Sequence, residues 1–152
     1  MSIESVKRQF KEQGLSLEVI ELDTSTATVE LAAAALGVEP ARIAKTMAFR
    51  LKDRDILLLT KGDVKVDNRK FKDYFKEKAR LISPEEVEEA TGHPVGGVCP
   101  FGLSKPLDIY LDISLKVFDY VYPAGGGPNT AVKISVDYLG EVTKGVWVDV
   151  CK

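Results

Sequence analysis

Between residues 92 and 102 the chain reads Gly-His-Pro-Val-Gly-Gly-Val-Cys-Pro-Phe-Gly, with four glycines, two prolines, the only histidine and one of the two cysteines. No helix or strand runs easily through such a stretch, because proline fixes φ and removes an N–H while glycine carries an entropic cost in regular elements. Regular structure must therefore stop before residue 92 and restart after residue 102. Glycine also lets a backbone approach a ligand closely, so the loop is a candidate pocket wall. The plainer alternative is a structural Ω-loop held by its own packing.

On the N-terminal side, Ile3, Val6 and Phe10 recur at helical spacing and Gly14 supplies a stop, which predicts a helix over 3–13. A partly alternating stretch, Leu17 to Leu22, reads as a strand and is followed by the hydroxyl-rich link Thr24 to Thr28. Val29 to Leu36 reads as an alanine-rich helix ended by Gly37, and Pro40 opens a short helix through Ile43. Lys45 to Leu51 and Asp55 to Thr60 read as two strands joined by the charged turn Lys52-Asp53-Arg54. A helix over Asp67 to Phe75, a short strand over Arg80 to Ile82, and the capping box Ser83-Pro84-Glu85-Glu86 opening a helix to about Ala90 complete this half.

Beyond the loop, strands are expected over Asp108 to Asp112, Asp119 to Tyr122, Ala131 to Ile134 and Val146 to Val150. A second glycine loop, Pro123 to Asn129, lies among them, and Val136 to Thr143 reads as a helix. Without a strict βαβ repeat, and with several hairpin-like pairs, the pattern predicts an α/β fold. Its form is a single compact domain over residues 1–152 with a mixed, mostly antiparallel sheet flanked by helices.

Composition narrows the setting. A 152-residue chain that is 45% hydrophobic can bury a sizeable core. Twenty-one basic against 23 acidic side chains leave no global basic field for nucleic acid. Two cysteines, at 99 and 151, are too few for a disulfide framework, and the N-terminus has no apolar signal core, so a cytoplasmic protein is expected. No run approaches the roughly 18 apolar residues of a membrane span, so no membrane role is expected.

Four features could carry chemistry. Lys45 opens an apolar strand and could place an ammonium in a pocket, or it could snorkel to water. The loop over 92–102 could offer N–H groups to an oxyanion. Gly125-Gly126-Gly127-Pro128-Asn129 could cradle a phosphate, although it matches no nucleotide fingerprint and an ordinary turn serves as well. His93 and Cys99 invite a thiol-nucleophile reading, but no orienting acid stands beside them and an apolar packing role suits Cys99 among Val98, Pro100 and Phe101. One histidine and two distant cysteines do not make a zinc site, so neither metal nor cofactor is expected. Eight basic against four acidic side chains over 61–80 could meet a phosphate backbone or form a solvated helix face.

Three blocks together resemble one family. Leu36-Gly37-Val38 followed by Ile43-Ala44-Lys45-Thr46 resembles the segment ending in the family's lysine. Thr91 to Gly102 resembles its Gly-x-x-x-Pro loop, here Gly96 to Pro100, and Tyr122 to Ile134 resembles its late glycine turn and following strand. The family is that of YbaK and the prolyl-tRNA synthetase-associated editing domain, and the blocks cover nearly the whole chain in order. The resemblance implies a YbaK-like editing-domain fold and trans-editing, which is hydrolysis of the ester joining a wrong amino acid to tRNA. Its implied partners are the acceptor end of an aminoacyl-tRNA and prolyl-tRNA synthetase.

By the same resemblance Lys45, Gly96, Gly97 and Pro100 take the catalytic positions. Thr46 and Val98 contact substrate beside them, Thr26 and Thr28 approach the amino-acid pocket, and Ala124, Gly125, Gly126 and Asn129 line the late turn. The family's chemistry is substrate-assisted, through the terminal ribose hydroxyl or a substrate thiol. A serine precedes the late glycines in the cysteinyl-specific branch, whereas this chain has Ala124. A lost hydroxyl changes discrimination, so the amino acid stays open among alanine, serine, threonine and cysteine. The alternative is a catalytically silent module that binds tRNA or a synthetase.

Overall fold

The apolar run Ile56 to Leu59 becomes the middle of the sheet. In the computed structural model, which describes residues 2–152, these four side chains are fully buried. Elements follow in chain order as α1 (Ser2–Glu12), β1 (Ile20–Glu21), α2 (Val29–Leu36), a 3₁₀ turn (Pro40–Arg42), β2 (Ala44–Arg50) and β3 (Asp55–Lys61). Next come α3 (Asn68–Phe75), α4 (Pro84–Thr91), β4 (Asp108–Asp112), a 3₁₀ turn (Ile113–Val117) and β5 (Tyr120–Val121). The chain closes with β6 (Thr130–Ala131), β7 (Ile134–Ser135), α5 (Val136–Thr143) and β8 (Val146–Val148).

The central sheet has the order β2-β3-β4-β8. β2 and β3 pair antiparallel through the turn at 52–54, closed by the Leu51 N–H on the Arg54 carbonyl at 2.8 Å. β3 with β4 and β4 with β8 pair parallel, and two antiparallel ribbons, β1 with β6 and β5 with β7, lie outside this sheet. Antiparallel pairings thus outnumber parallel ones three to two, yet both parallel ones fall in the central sheet. The crossover from β3 to β4 carries α3, α4 and the glycine–proline loop.

A strand that is apolar on both faces needs cover on both. Ile56 and Leu58 pack with Phe49, Phe71 and Tyr110 under α3. Leu59 packs with Phe10, Phe101 and Leu139 on the other side, and Leu57 with Ala48, Val87 and Ala90 of α4.

Several expected strands are shorter than their patterns. Only Ile20–Glu21 of the 17–22 stretch pairs, because Leu17 and Val19 instead pack against the core as irregular chain. The expected strand over 131–134 is two strands: the Val132 N–H turns to the Pro123 carbonyl at 2.8 Å, which sends β6 and β7 to different partners. The stretch at 80–82 makes a single bridge, Leu81 against Phe49, and the strands expected over 119–122 and 146–150 shrink to β5 and β8. The capping box does not close, since the Ser83 hydroxyl donates to the Glu86 carboxylate at 3.1 Å and caps no backbone N–H.

Candidate functional site

A cavity of about 470 Å³ opens beside the outer edge of β2, a size typical of small-molecule sites. Its walls are the Thr26–Thr28 link and the start of α2, the chain from Ile43 to Ala48 along β2, Leu81 to Pro84 with Val87 at the start of α4, and Val95, Gly96 and Val98 of the loop. Tyr122 to Ala124 and the β6 residues Thr130 and Ala131 complete the lining. Lys45 and Tyr122 are the only titratable side chains among them; no carboxylate, imidazole or thiol lines the cavity.

The alternation of β2 splits its side chains. Ala44 and Ala48 lie toward the loop and α4, whereas Met47 and Phe49 lie toward α3. By the same period Thr46 shares the loop-facing side and Lys45 the other. Because β2 is an edge strand, Lys45 still reaches the cavity, and its Nζ donates to the Val64 carbonyl. The Thr46 Oγ1 is buried and has no hydrogen-bond partner.

The two glycine loops meet. Gly96 takes φ +88°, and a Cβ there would lie 2.9 Å from Ala27 Cβ; at Gly97 it would lie 2.7 Å from the Gly127 nitrogen. Only glycine at both positions allows this approach. The Gly97 N–H is occupied by the Pro94 carbonyl at 2.9 Å. Of the residues expected here from sequence, Lys45, Thr46, Gly96, Val98, Thr26, Thr28 and Ala124 come together around the cavity. Gly97, Pro100, Gly125, Gly126 and Asn129 do not line it.

Each of those excluded has a structural task. Gly97 is the contact between the loops, and the Thr130 hydroxyl accepts from the Gly125 N–H at 3.0 Å. Asn129 Nδ2 donates to the Leu22 carbonyl at 3.1 Å. Gly126, at φ +100°, packs on the Ser2 carbonyl, and Pro100 is buried. The Thr26 hydroxyl donates to the Thr130 carbonyl at 2.9 Å and the Thr28 hydroxyl caps α2 through the Leu31 N–H at 3.2 Å. These two threonines therefore hold the wall, and Thr46 keeps the unengaged hydroxyl.

His93 and Cys99 lie within 3.6 Å of one another but are fully buried and outside the cavity. Burial pushes the Cys99 thiol up to about 12, so no thiolate forms at neutral pH. Cys99→Ala is expected to cost about 1 kcal/mol of stability from the small void and to leave ester hydrolysis unchanged; a single-turnover assay beside a melting curve checks both.

His93 donates from Nε2 to the Phe101 carbonyl at 2.6 Å, and its Nδ1 is buried without a partner. A second proton on that nitrogen would find no acceptor, and burial holds the folded pKa below the ordinary 6.5. The folded state then binds fewer protons than the unfolded one, so His93 contributes stability that is present above pH 6.5 and lost as pH falls from there toward the lower folded value. His93→Gln, which keeps an N–H for Phe101, is expected to flatten that part of the stability profile in denaturant titrations at successive pH values.

Sequence reading missed the wall formed by Leu81 to Pro84 and Val87, together with Tyr122. The missing signal is tertiary: a single bridge to β2 brings Leu81 there. Leu81 and Val95 stand 64% and 60% exposed on that wall and loop, unusual for large apolar side chains. The basic stretch over 61–80 contributes no lining residue; Lys61 pairs with Asp63 at 3.4 Å and Lys70 with Asp149 at 3.0 Å. Among the described residues no helix is long and apolar enough to cross a membrane, and no group of three acidic, histidine or cysteine side chains could hold a metal ion.

A mixed α/β domain with an edge-strand cavity of small-molecule size, one lining lysine and two apposed glycine loops is the class that this fold and site define. Residues 23–141 match the aminoacyl-tRNA editing domain model. The chain belongs to that family, the YbaK and prolyl-tRNA synthetase-associated editing domains. It is 47% identical over 154 residues to the uncharacterised protein YwhH of Bacillus subtilis, covering 100% of this chain and 98% of that one. It is 37% identical over 107 residues to the proline–tRNA ligase of Bacillus licheniformis, 69% of this chain but 19% of the ligase. A solved structure described as a candidate trans-editing enzyme for prolyl tRNA synthetase superposes with TM-score 0.91 and 33% identity, covering 99% of this chain and 97% of that one.

Proposed function

We propose that the chain is a free-standing aminoacyl-tRNA deacylase that clears a small, wrong amino acid such as alanine, serine, threonine or cysteine from tRNA for proline. The observation that carries this reading is the cavity's chemistry. Its lining holds a single lysine and the unpartnered main-chain groups of Thr46, and no carboxylate, imidazole or thiol. An aminoacyl ester is a substrate such a site can turn over, because it is already activated and brings its own ribose hydroxyl beside the reacting carbon.

In this reaction a water oxygen attacks the ester carbonyl carbon and the carbonyl pair moves onto oxygen. The intermediate collapses by breaking the acyl–oxygen bond, the ribose oxygen takes a proton that began on the water, and the free amino acid leaves. The ribose hydroxyl beside the ester orients the water and relays the proton. The apolar inner wall of Ala32, Ala44, Ala48 and Ala131 favours a small side chain. Exposed Leu81 and Val95 give the terminal adenine an apolar rest. Lys45 faces away from the Thr46 side of β2, which suits a phosphate of the acceptor end better than the carbonyl.

Release of labelled amino acids from a panel of mischarged tRNAs tests the reading, with prolyl-tRNA as the substrate that must be spared. Lys45-dependent release of a small amino acid supports it. Tight tRNA binding with an unaltered ester half-life on every member overturns it and leaves a silent binding module.

A further inference from the structure

The outer edge of β2 is closed at both ends and open in the middle. The Arg42 carbonyl accepts from the Tyr122 N–H at 2.9 Å and the Ala44 N–H donates to the Tyr122 carbonyl at 3.1 Å. Further along, the Ala48 carbonyl accepts from the Ile82 N–H at 2.9 Å and the Arg50 N–H donates to the Arg80 carbonyl at 2.8 Å. Even-numbered residues of β2 therefore turn their main-chain groups away from β3, as antiparallel alternation requires. Thr46 sits between the two closed stretches. Among the described residues its N–H and carbonyl have no protein partner, and Thr46 lines the cavity.

We propose that the aminoacyl group occupies this gap as a one-residue strand, its α-ammonium donating to the Thr46 carbonyl and its ester carbonyl accepting from the Thr46 N–H. The proposal rests on the deacylase reading and names what the site recognises, which is an α-amino acid with a free amine. In an antiparallel ladder the N–H and carbonyl of one residue bond those of the single residue opposite, so a gap centred on one residue is complementary to one extended amino acid. Opposed residues also direct their side chains to the same face. The substrate side chain then lies beside the Thr46 side chain, where the buried Oγ1 has no partner. When water attacks, the ester oxygen becomes an oxyanion already facing the Thr46 N–H.

Two measurements test this. The first compares an RNA minihelix carrying a 3′-alanyl ester with one carrying the des-amino propionyl ester, each rate divided by its spontaneous hydrolysis. A hydrogen bond to a charged group contributes about 1.5–3 kcal/mol, so kcat/KM for propionyl is expected to fall by about 10- to 150-fold. The second replaces the Thr46 amide nitrogen by oxygen, using the α-hydroxy analogue of threonine, which deletes the N–H and keeps the side chain. Loss of one oxyanion donor lowers kcat by about 100-fold or more, with KM little changed.

Thr46→Val, which keeps both main-chain groups, is expected to retain the preference for alanyl over propionyl. Equal normalised rates on the two esters, or an unchanged kcat after the nitrogen-to-oxygen exchange, overturn the proposal and leave the deacylase reading standing. Hydrolysis of neither ester, nor of the seryl, threonyl and cysteinyl esters of the same minihelix, overturns both.

Discussion

Lys45→Met is expected to lower kcat/KM for the preferred mischarged tRNA by about 100- to 1,000-fold, the range for removing one preorganised electrostatic group. Methionine keeps the length and packing of the stem beside Met47 and Val64, so the loss reports the charge. Stability should fall by no more than about 1.5–3 kcal/mol, the net worth of a hydrogen bond from a charged group such as the Nζ to the Val64 carbonyl. If the ammonium meets a phosphate of the single-stranded acceptor end, the variant also loses about 0.7 of the slope of log affinity against log salt. If it meets the ester carbonyl, the slope stays and kcat alone falls. Single-turnover hydrolysis and salt-dependent binding on the same variant separate the two, and a decrease below about tenfold removes Lys45 from the reaction.

Gly97→Ala is expected to cost about 1–3 kcal/mol of stability, the range for overpacking, and to depress activity beyond that. The added Cβ would stand 2.7 Å from the Gly127 nitrogen and 2.8 Å from the Gly126 carbonyl carbon. These are backbone atoms, which cannot swing aside like the end of a flexible side chain. The two loops must then separate, and Gly96 and Val98, on either side of the new methyl, move with the cavity wall. A displacement near 1 Å in a reacting geometry can cost about 100-fold. Melting curves and kcat/KM together check this; a variant with wild-type stability and activity would mean that the loops do not need to touch.

The resemblance blocks located Lys45 and the loop at 92–102, but what the loop does divides differently from what its reactive residues suggest. His93 and Cys99 invite a nucleophile-and-base reading, yet both lie in the core, beside the buried Pro100 and Phe101. Val95, Gly96 and Val98 face the cavity, while Gly97 and Pro100 hold the fold. Linear spacing cannot separate these roles, because they alternate within seven residues of one irregular segment. The hydroxyl-rich link divides likewise: Thr26 and Thr28 line the cavity, while their oxygens are engaged by Thr130 and by the first turn of α2.

Sequence alone determined the helices of α1, α2, α3 and α5, the β2–β3 hairpin and the buried strand β3, since each depends on local periodicity, caps and turn residues. Only the tertiary structure decided which edge of β2 stays open. That edge is set by single bridges from Tyr122 and Leu81, residues far from β2 in the chain. Such contacts form because covering the two faces of β3 brings their segments alongside, and no pattern within either segment records where they stop. Thr46 is left exposed to the cavity by the space between them.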